Sequence, residues 1–501
     1  MQVVLCWFLT LLSAIVFARL IWTKKLSLSR DWFVVIYFAE IWLQLHLLPT
    51  LYLQASNLVA DGVSRPDDEV TWYYVLIQFA GIALFQWPLL FLYLRGMKRN
   101  SLAKAQKDPP ASIIPIPNKV VLISIISITV TLVYLTVALR FNLLRMPRDS
   151  NLIPYLLLGL DTVVYAILRL FVYSGLFFGA FLLFLALRSH EATVPVKILI
   201  WSAFVFTTGA WMLQALLFSR WEVAFGLAVL IGVVLTQKHA QWYRKIPRAK
   251  LARIVVVGVL ILLYLMRVTY NFRFNNETEG LNLANLNPFI SYEIPYYENQ
   301  DLRYRLNGVD LMARITPRAL HEGYALGAGW EYAFYCAVGQ WIPGLSVEDY
   351  KLNPLTDTKA YLEYRYTGYR LPDWPNCFLT DLYGNLSFFG FLLAAWLLAR
   401  VFVFVNRSLV SPKSTWDCLF ALFLISQTMM FESGFAGWLF GLLRPASLLF
   451  VLLLLRPFRF GQAGNTSDSP SPSKTPRPAL ALPVRGPAQV RLRTRQDYSR
   501  S

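Results

Sequence analysis

Apolar residues run along the chain in blocks of about 20, the length that crosses a bilayer, and short polar stretches separate them. Most blocks carry no polar stripe. A helix in a water-soluble core keeps one, so these blocks read as transmembrane helices. The pattern predicts about eleven spans, near residues 2–22, 31–53, 72–94, 119–138, 156–187, 197–217, 221–237, 254–270, 385–405, 416–433 and 435–455. The expected fold is all-α, a polytopic integral membrane protein with one large outward loop. The stretch 156–187 is too long for one untilted crossing, so its first part is expected to lie along the surface or project outward. The first block lacks a preceding basic stretch and a small-residue cleavage site, which favours a first span over a signal sequence.

Composition agrees. Of 501 residues, 56% are hydrophobic and 15% charged, where a soluble domain has about 25% charged. A soluble enzyme and a disordered chain are both excluded. The net charge of +18 does not indicate nucleic acid, because much of the excess lies in alternate loops. Lys24, Lys25 and Arg30 occupy one. Arg95, Lys98, Arg99, Lys104 and Lys107 occupy the next, and Lys238, Arg244, Lys245, Arg248, Lys250 and Arg253 a third. All fall on one side of the eleven-span arrangement, and positive charge places that side in the cytoplasm. The N-terminus is then outside. Four regions follow: 1–270 with eight spans, a large outward loop over 271–384, three spans over 385–455, and a basic, Pro- and Ser-rich tail over 456–501 that reads as disordered.

Cysteine and histidine narrow the chemistry. Cys6 and Cys418 lie in spans, where packing explains them. Cys336 and Cys377 share the outward loop, as a disulfide or as two free thiols. The histidines are His46 in a span, His190 and His239 on the cytoplasmic side, and His321 in the outward loop. None has metal-ligand spacing. No phosphate-binding loop or dinucleotide fingerprint is present. Neither a metal nor a cofactor is expected.

The outward loop holds 14 Asp and Glu against 9 Lys and Arg, yet Arg303, Arg305, Arg314 and Arg318 fall within sixteen residues. Leu306, Val309 and Met312 recur every third position, which predicts a short amphipathic helix over 306–315. Thr316-Pro317 then predicts a second helix, with Thr316 as N-cap and Arg318 in its first turn. Free backbone N–H groups there would favour an anion. Guanidinium groups pair with phosphate oxygens two at a time, so the cluster suits a diphosphate, with Arg365 and Arg370 completing a clamp. Arg169, inside the long fifth stretch, could reach the same pocket or pair with Asp161 or Glu40. The alternative for the cluster is surface ion pairing with Asp310, Glu322, Glu363 and Asp373. Glu322, His321 and Asp310 are candidate bases, the first two ranked higher for their nearness to Arg318; His321-Glu322 also reads as a plain solvated turn. Trp330, Tyr332, Tyr335, Trp341 and Trp374 suit sugar faces or the loop's own core.

This arrangement resembles the O-antigen polymerase (Wzy-type) family, whose general plan the O-antigen ligases share. The likeness lies in many spans with one large outward loop before the last few. It lies also in Arg148…Gly159 and Arg318…Gly329 in outward loops, and in NCFLTDLYGNLSFFGF (376–391) leading into the next span. About eleven spans, where many relatives have twelve or more, is a departure. The resemblance implies a glycosyltransferase facing the periplasm from a bacterial inner membrane. It would join undecaprenyl-diphosphate-linked oligosaccharide repeat units without metal or nucleotide, with Arg318, Arg314, Glu322 and His321 catalytic and Arg303, Arg305, Arg148, Arg169, Arg365 and Arg370 holding diphosphate or glycan. A chain-length-regulating co-polymerase is a further partner. A ligase acting on lipid A core is one alternative. A polyprenyl-phosphate-sugar transferase using Asp67-Asp68-Glu69 is another, and a flippase or transporter a third.

Overall fold

The computed structural model of the chain describes residues 1–23, 25–27, 30–58, 68–105, 118–140, 175–188, 193–218, 220–236, 283–289, 307–331, 334, 358–367, 378–410, 415–428 and 435–441, with single positions between 253 and 271. All regular structure in this set is helical. The first unit, Met1–Leu454, contains every described residue; the basic tail falls in the second, Leu455–Ser501, and lies outside them.

Helix α1 covers Gln2–Trp22. α2 (Trp32–Trp42) and α3 (Leu48–Leu58) are joined by a π-helical segment, Leu43–Leu47. α4 (Asp68–Ala80) and α5 (Trp87–Ala105) are joined in the same way by Gly81–Gln86. α6 (Asn118–Arg140), α7 (Gly175–Arg188), α8 (Val194–Phe218) and α9 (Arg220–Thr236) follow. Within the stretch 271–384 lie α10 (Asp310–Glu322) and α11 (Thr358–Thr367). The chain then forms α12 (Phe378–Leu386), α13 (Phe388–Val410), α14 (Thr415–Thr428) and α15 (Phe435–Gly441).

Five helical stretches are long and apolar enough to cross a membrane: Gln2–Trp22, Trp32–Ala55, Glu69–Lys98, Val194–Leu213 and Phe388–Val410. Shorter apolar helices accompany them. This is the pattern of a multi-pass membrane protein. Helix α1 exposes Val4, Phe8, Leu11 and Ile15 along one side. Such a stripe is costly in water and costs nothing against lipid. Inside, aromatic rings fill the space between helices. Tyr37 and Phe33 of α2 each meet Phe402 of α13 edge-on, at 5.1 and 5.6 Å between centroids.

Two buried clusters bracket the long α4–α5 helix. At one end Asp31 is fully buried. It accepts from Tyr93 Oη at 2.5 Å, Asn406 Nδ2 at 2.8 Å and the Arg30 guanidinium at 2.8 Å. At the other end Tyr74 donates to Asp310. Tyr74 and Tyr93 are 19 residues apart, which at 1.5 Å per residue is about 28 Å, close to the ~30 Å hydrocarbon thickness. The Tyr74 end also carries helix α10.

The join before α13 differs from a simple span entry. Ser387 adopts φ +57°, which ends α12 and turns the chain into α13. Gly390 follows because a Cβ there would meet the Leu382 backbone carbonyl at 2.5 Å.

Candidate functional site

The site is built on α10. Asn307 starts this helix: its Oδ1 accepts from the backbone N–H groups of Val309 and Asp310, at 3.2 and 3.1 Å. Val309 is the N-cap, so Asn307 makes a side-chain turn that leads the chain into the helix and satisfies two N–H groups at its start. Gly308 N–H reaches back to the Gln44 carbonyl at 3.1 Å, tying the helix start to the π segment of Leu43–Leu47.

One side of α10 packs on the spans and another packs on α11. Val309, Met312 and Ala313 join the main core, and Leu311, Ile315 and Ala319 form a second cluster with Leu362 and Tyr366 of α11. The Tyr366 hydroxyl donates to the Gly323 carbonyl at 2.9 Å and closes the far end.

This packing overturns the two-helix reading. Thr316 is not an N-cap; it is buried inside one continuous helix that contains Pro317. Thr316 Oγ1 instead donates to the Met312 carbonyl at 2.7 Å and meets Tyr383 Oη at 2.8 Å. An interior proline costs about 3 kcal/mol. Four large apolar side chains, Val309, Leu311, Met312 and Ile315, are fully buried, and at ~1.5 kcal/mol each even the low end of their gain is about 6 kcal/mol. Burial wins. Arg318 consequently lies in the later part of the helix, and no helix N-terminus supports it.

The charges divide into a buried pair and an exposed stripe. Asp310 is fully buried and accepts from Tyr74 Oη and from Arg314 Nε at 3.0 Å, while Asn307 Nδ2 donates to Tyr74 Oη at 3.0 Å. Asp310 and Arg314 are four apart with the acid first, the favourable order along a helix. Burial lowers the Arg314 pKa, and the Asp310 charge more than offsets it, leaving the guanidinium firmly charged. Asp310 is therefore a structural counter-ion, and its place among the candidate bases is withdrawn. Arg314 is the ion-paired arginine of the alternative reading, with a quarter of its side chain still exposed.

Arg318, His321 and Glu322 continue the outer face and are exposed. Spacings of four, seven and eight residues from Arg314 put them on one side of the helix. Arg318 makes no ion pair or side-chain hydrogen bond among the described residues. Arg365 of α11 lies beside this stripe. It donates to Tyr361 Oη at 2.9 Å and lies over the Tyr366 ring at 5.2 Å. Burial lowers its pKa, and the Tyr361 hydroxyl, the two phenol rings and the Glu322 charge raise it further, for a net rise. The structure thus gathers Arg314, Arg318, His321, Glu322 and Arg365. Arg148, Arg169, Arg303, Arg305 and Arg370 lie outside the described residues, as do Cys336 and Cys377.

The motif at 376–391 braces the site. Asp381 is fully buried and accepts from Trp330 Nε1 at 2.8 Å, Asn385 Nδ2 at 2.9 Å and Ala436 N–H at 2.8 Å. Asn385 Oδ1 accepts from Gly327 N–H at 2.7 Å, and Gly327 at φ +90° makes a turn that suits glycine. Trp330 packs on Phe435 against the edge of the core. The remaining loop aromatics proposed as sugar platforms, Tyr332, Tyr335, Trp341 and Trp374, lie outside the described residues.

Sequence reasoning missed Asn307, Tyr74, Asp381 and Asn385. Only Asn307 had a local signal: Asn-Gly is a turn pair, and here it leads directly into the helix. On the other side of α4 from Tyr74, a crevice of about 390 Å³ is lined by Leu5, Phe8, Leu9, Trp72, Val75, Leu76 and Phe79. It holds no polar side chain and suits hydrocarbon. Among the described residues no group of His, Cys, Asp and Glu could hold a metal ion. Comparison of the chain with known protein families, curated proteins and solved structures gives no match.

Proposed function

We propose that this chain is a glycosyltransferase of the lipid-linked oligosaccharide polymerase type, acting at the outer face of a bacterial inner membrane. The observation that carries the reading is Arg318: an exposed guanidinium with no ion pair among the described residues, on a helix bolted to the spans through Asp310 and Tyr74. A cation held rigidly above a membrane suits a lipid-linked diphosphate.

The acceptor sugar's hydroxyl oxygen attacks the anomeric carbon of the donor glycan. The bond from that carbon to the diphosphate oxygen breaks, and the lipid diphosphate departs with the electron pair. Negative charge grows on it as it leaves. Arg318 stabilises that charge by its own cation, with Arg365 flanking and Arg314 held in place by Asp310. The acceptor proton goes to His321 or Glu322, which lie three and four residues from Arg318. Arg148, Arg169, Arg303, Arg305 and Arg370 remain proposed contacts to diphosphate or glycan. A chain-length-regulating co-polymerase remains a proposed partner.

A ligase performs the same displacement with lipid A core as acceptor. A buried polar group of side chains within the spans, around His46 and Gln86, is the feature that favours a transporter. One experiment separates the three. A strain lacking the chain is complemented with wild type or Arg318→Ala, and lipid-linked and surface glycans are resolved by gel and mass spectrometry. A polymerase defect leaves single repeat units. Long polymer retained on undecaprenyl diphosphate assigns a ligase, and repeat units retained on the cytoplasmic side assign a transporter.

A further inference from the structure

The positions described between 253 and 271, where a span over 254–270 is expected, are all helical. Val256, Val257, Leu260, Ile261 and Tyr264 follow one another at helical spacing along one side, and all are exposed. This is an apolar stripe like that of α1, and lipid covers it at no cost.

Residues 283–289 fold back over the end of that stripe, beginning with a 3-10 turn at Leu283–Leu286. Three side chains of the span helix, at spacings of three and four residues, hold the segment. Tyr264 Oη donates to the Leu286 carbonyl at 3.0 Å, and Arg267 Nε donates to the Pro288 carbonyl at 3.1 Å. The two hydrogens of Asn271 Nδ2 go to the carbonyls of Asn285 and Asn287, at 3.0 and 2.7 Å. Four successive carbonyls are thus satisfied by side chains of one helix. Asn287 N–H donates to the Ala284 carbonyl at 3.0 Å, Phe289 N–H donates to Asn287 Oδ1 at 3.0 Å, and Pro288 has no N–H. A loop in water leaves such carbonyls to the solvent. Where water is scarce, each one left unmade is expensive. The side chains behave oppositely: Leu286 is exposed, and Phe289 is 89% exposed.

The sequence sets the depth. Residues 254–266 carry no charge and are bracketed by Arg253 and Arg267. At 1.5 Å per residue this run covers about 20 Å of a hydrocarbon core of about 30 Å. A helix crossing on so short a run draws Arg267, and the segment bonded to it, into the boundary between headgroups and acyl chains. Tyrosine is common at that boundary, and Tyr264 lies there.

We infer that residues 283–289 form a membrane-surface anchor whose partner is the bilayer itself. Leu286 and Phe289 enter the edge of the acyl-chain region, and the closed backbone lets them do so without stranding polar groups. Phe289 extends a stripe that lipid already covers, which argues for lipid over a protein partner. The anchor fixes the depth at which the chain leaves this span for the stretch 271–384.

The test uses the full chain in lipid nanodiscs with para-fluorophenylalanine at position 289, a nearly isosteric change, read by 19F NMR. Two relaxation agents are compared: phosphatidylcholine with a nitroxide near the top of an acyl chain, and a gadolinium chelate in the water. The same label at Phe8, on the exposed stripe of α1, is the reference for lipid contact. The expected result is a signal at 289 lost with the nitroxide lipid, as at Phe8, and relaxed less by the chelate than by the lipid. Equal or stronger relaxation by the chelate places Phe289 in water and overturns the inference. A signal that survives both agents places it against protein, a second copy or another part of this chain, and overturns it as well. Asn271→Leu removes the donors of two carbonyls, so the label at 289 should lose its response to the lipid and gain one to the chelate. An unchanged response overturns the part given to these hydrogen bonds. If Asn271→Leu does not insert, Tyr264→Phe, which frees one carbonyl, takes its place.

Discussion

Replacing Asp310 with alanine tests the physical core of the site. Asp310 is fully buried, and its carboxylate accepts from Tyr74 and Arg314. Hydrogen bonds to charged groups contribute about 1.5–3 kcal/mol each, and removing one partner of a buried ion pair costs about 3–5 kcal/mol. Arg314 keeps 25% of its side chain exposed, so water recovers part of the loss. The expected cost is about 3 kcal/mol, at the low end of that range. Unfolding of wild type, Asp310→Ala, Arg314→Met and the double variant is measured in lipid nanodiscs by tryptophan fluorescence. The double variant is expected to lose less than the sum of the singles, by about 1–2 kcal/mol, because each single leaves the other charge unpaired. Chain extension falls in Asp310→Ala even where the protein inserts normally, since α10 loses its tie to α4. An Asp310→Ala protein within about 0.5 kcal/mol of wild type, the scatter of ordinary surface changes, or strict additivity in the cycle, would refute the reasoning.

Arg318 should behave oppositely. Arg318→Ala is expected to abolish chain extension with stability changed by less than about 0.5 kcal/mol, and Arg318→Lys to fail as well, because an ammonium cannot bind two phosphate oxygens side by side; normal glycan length in either variant at wild-type expression removes Arg318 from the mechanism. Burial pushes the Tyr366 phenol up to about 12 from its ordinary 10. A folded pKa above the unfolded one means its contribution is intact below pH 10 and is lost as pH rises towards about 12. Proteolysis of the α10–α11 contact should therefore increase in that window for wild type, and Tyr366→Phe should show no such step. Gly390→Ala places a Cβ against the Leu382 carbonyl and should cost about 1–3 kcal/mol, read by the same nanodisc unfolding; a neutral result means the α12–α13 turn adjusts freely. Leu326 sits at φ +51°, so Leu326→Gly should stabilise by about 1 kcal/mol in the same nanodisc unfolding measurement.

The apolar blocks alone determined the all-helical, multi-pass architecture, because a bilayer admits only helices or closed barrels and the blocks have helical length. They located the described helices to within a few residues at most ends. The arginine spacing drew attention to the stretch that forms α10. Those properties are local, since a stretch of sequence carries its own length, polarity and periodicity. Local chemistry misled at Thr316-Pro317, where a strong start signal lost to the burial of Val309, Leu311, Met312 and Ile315 before it and Ala319 after it. The π segments were illegible for a related reason: nothing in LQLHL or GIALFQ requires an extra residue per turn, and only the partners Ser13, His46 and Gln86 favour it. Tertiary structure alone decided which charges are paired inside the fold and which stay exposed. Asp310 meets Tyr74 across 236 positions, and Asp381 meets Ala436 across 55. A buried carboxylate takes whatever donors the fold brings to it, and the spacing of residues along the chain does not encode which donors those are.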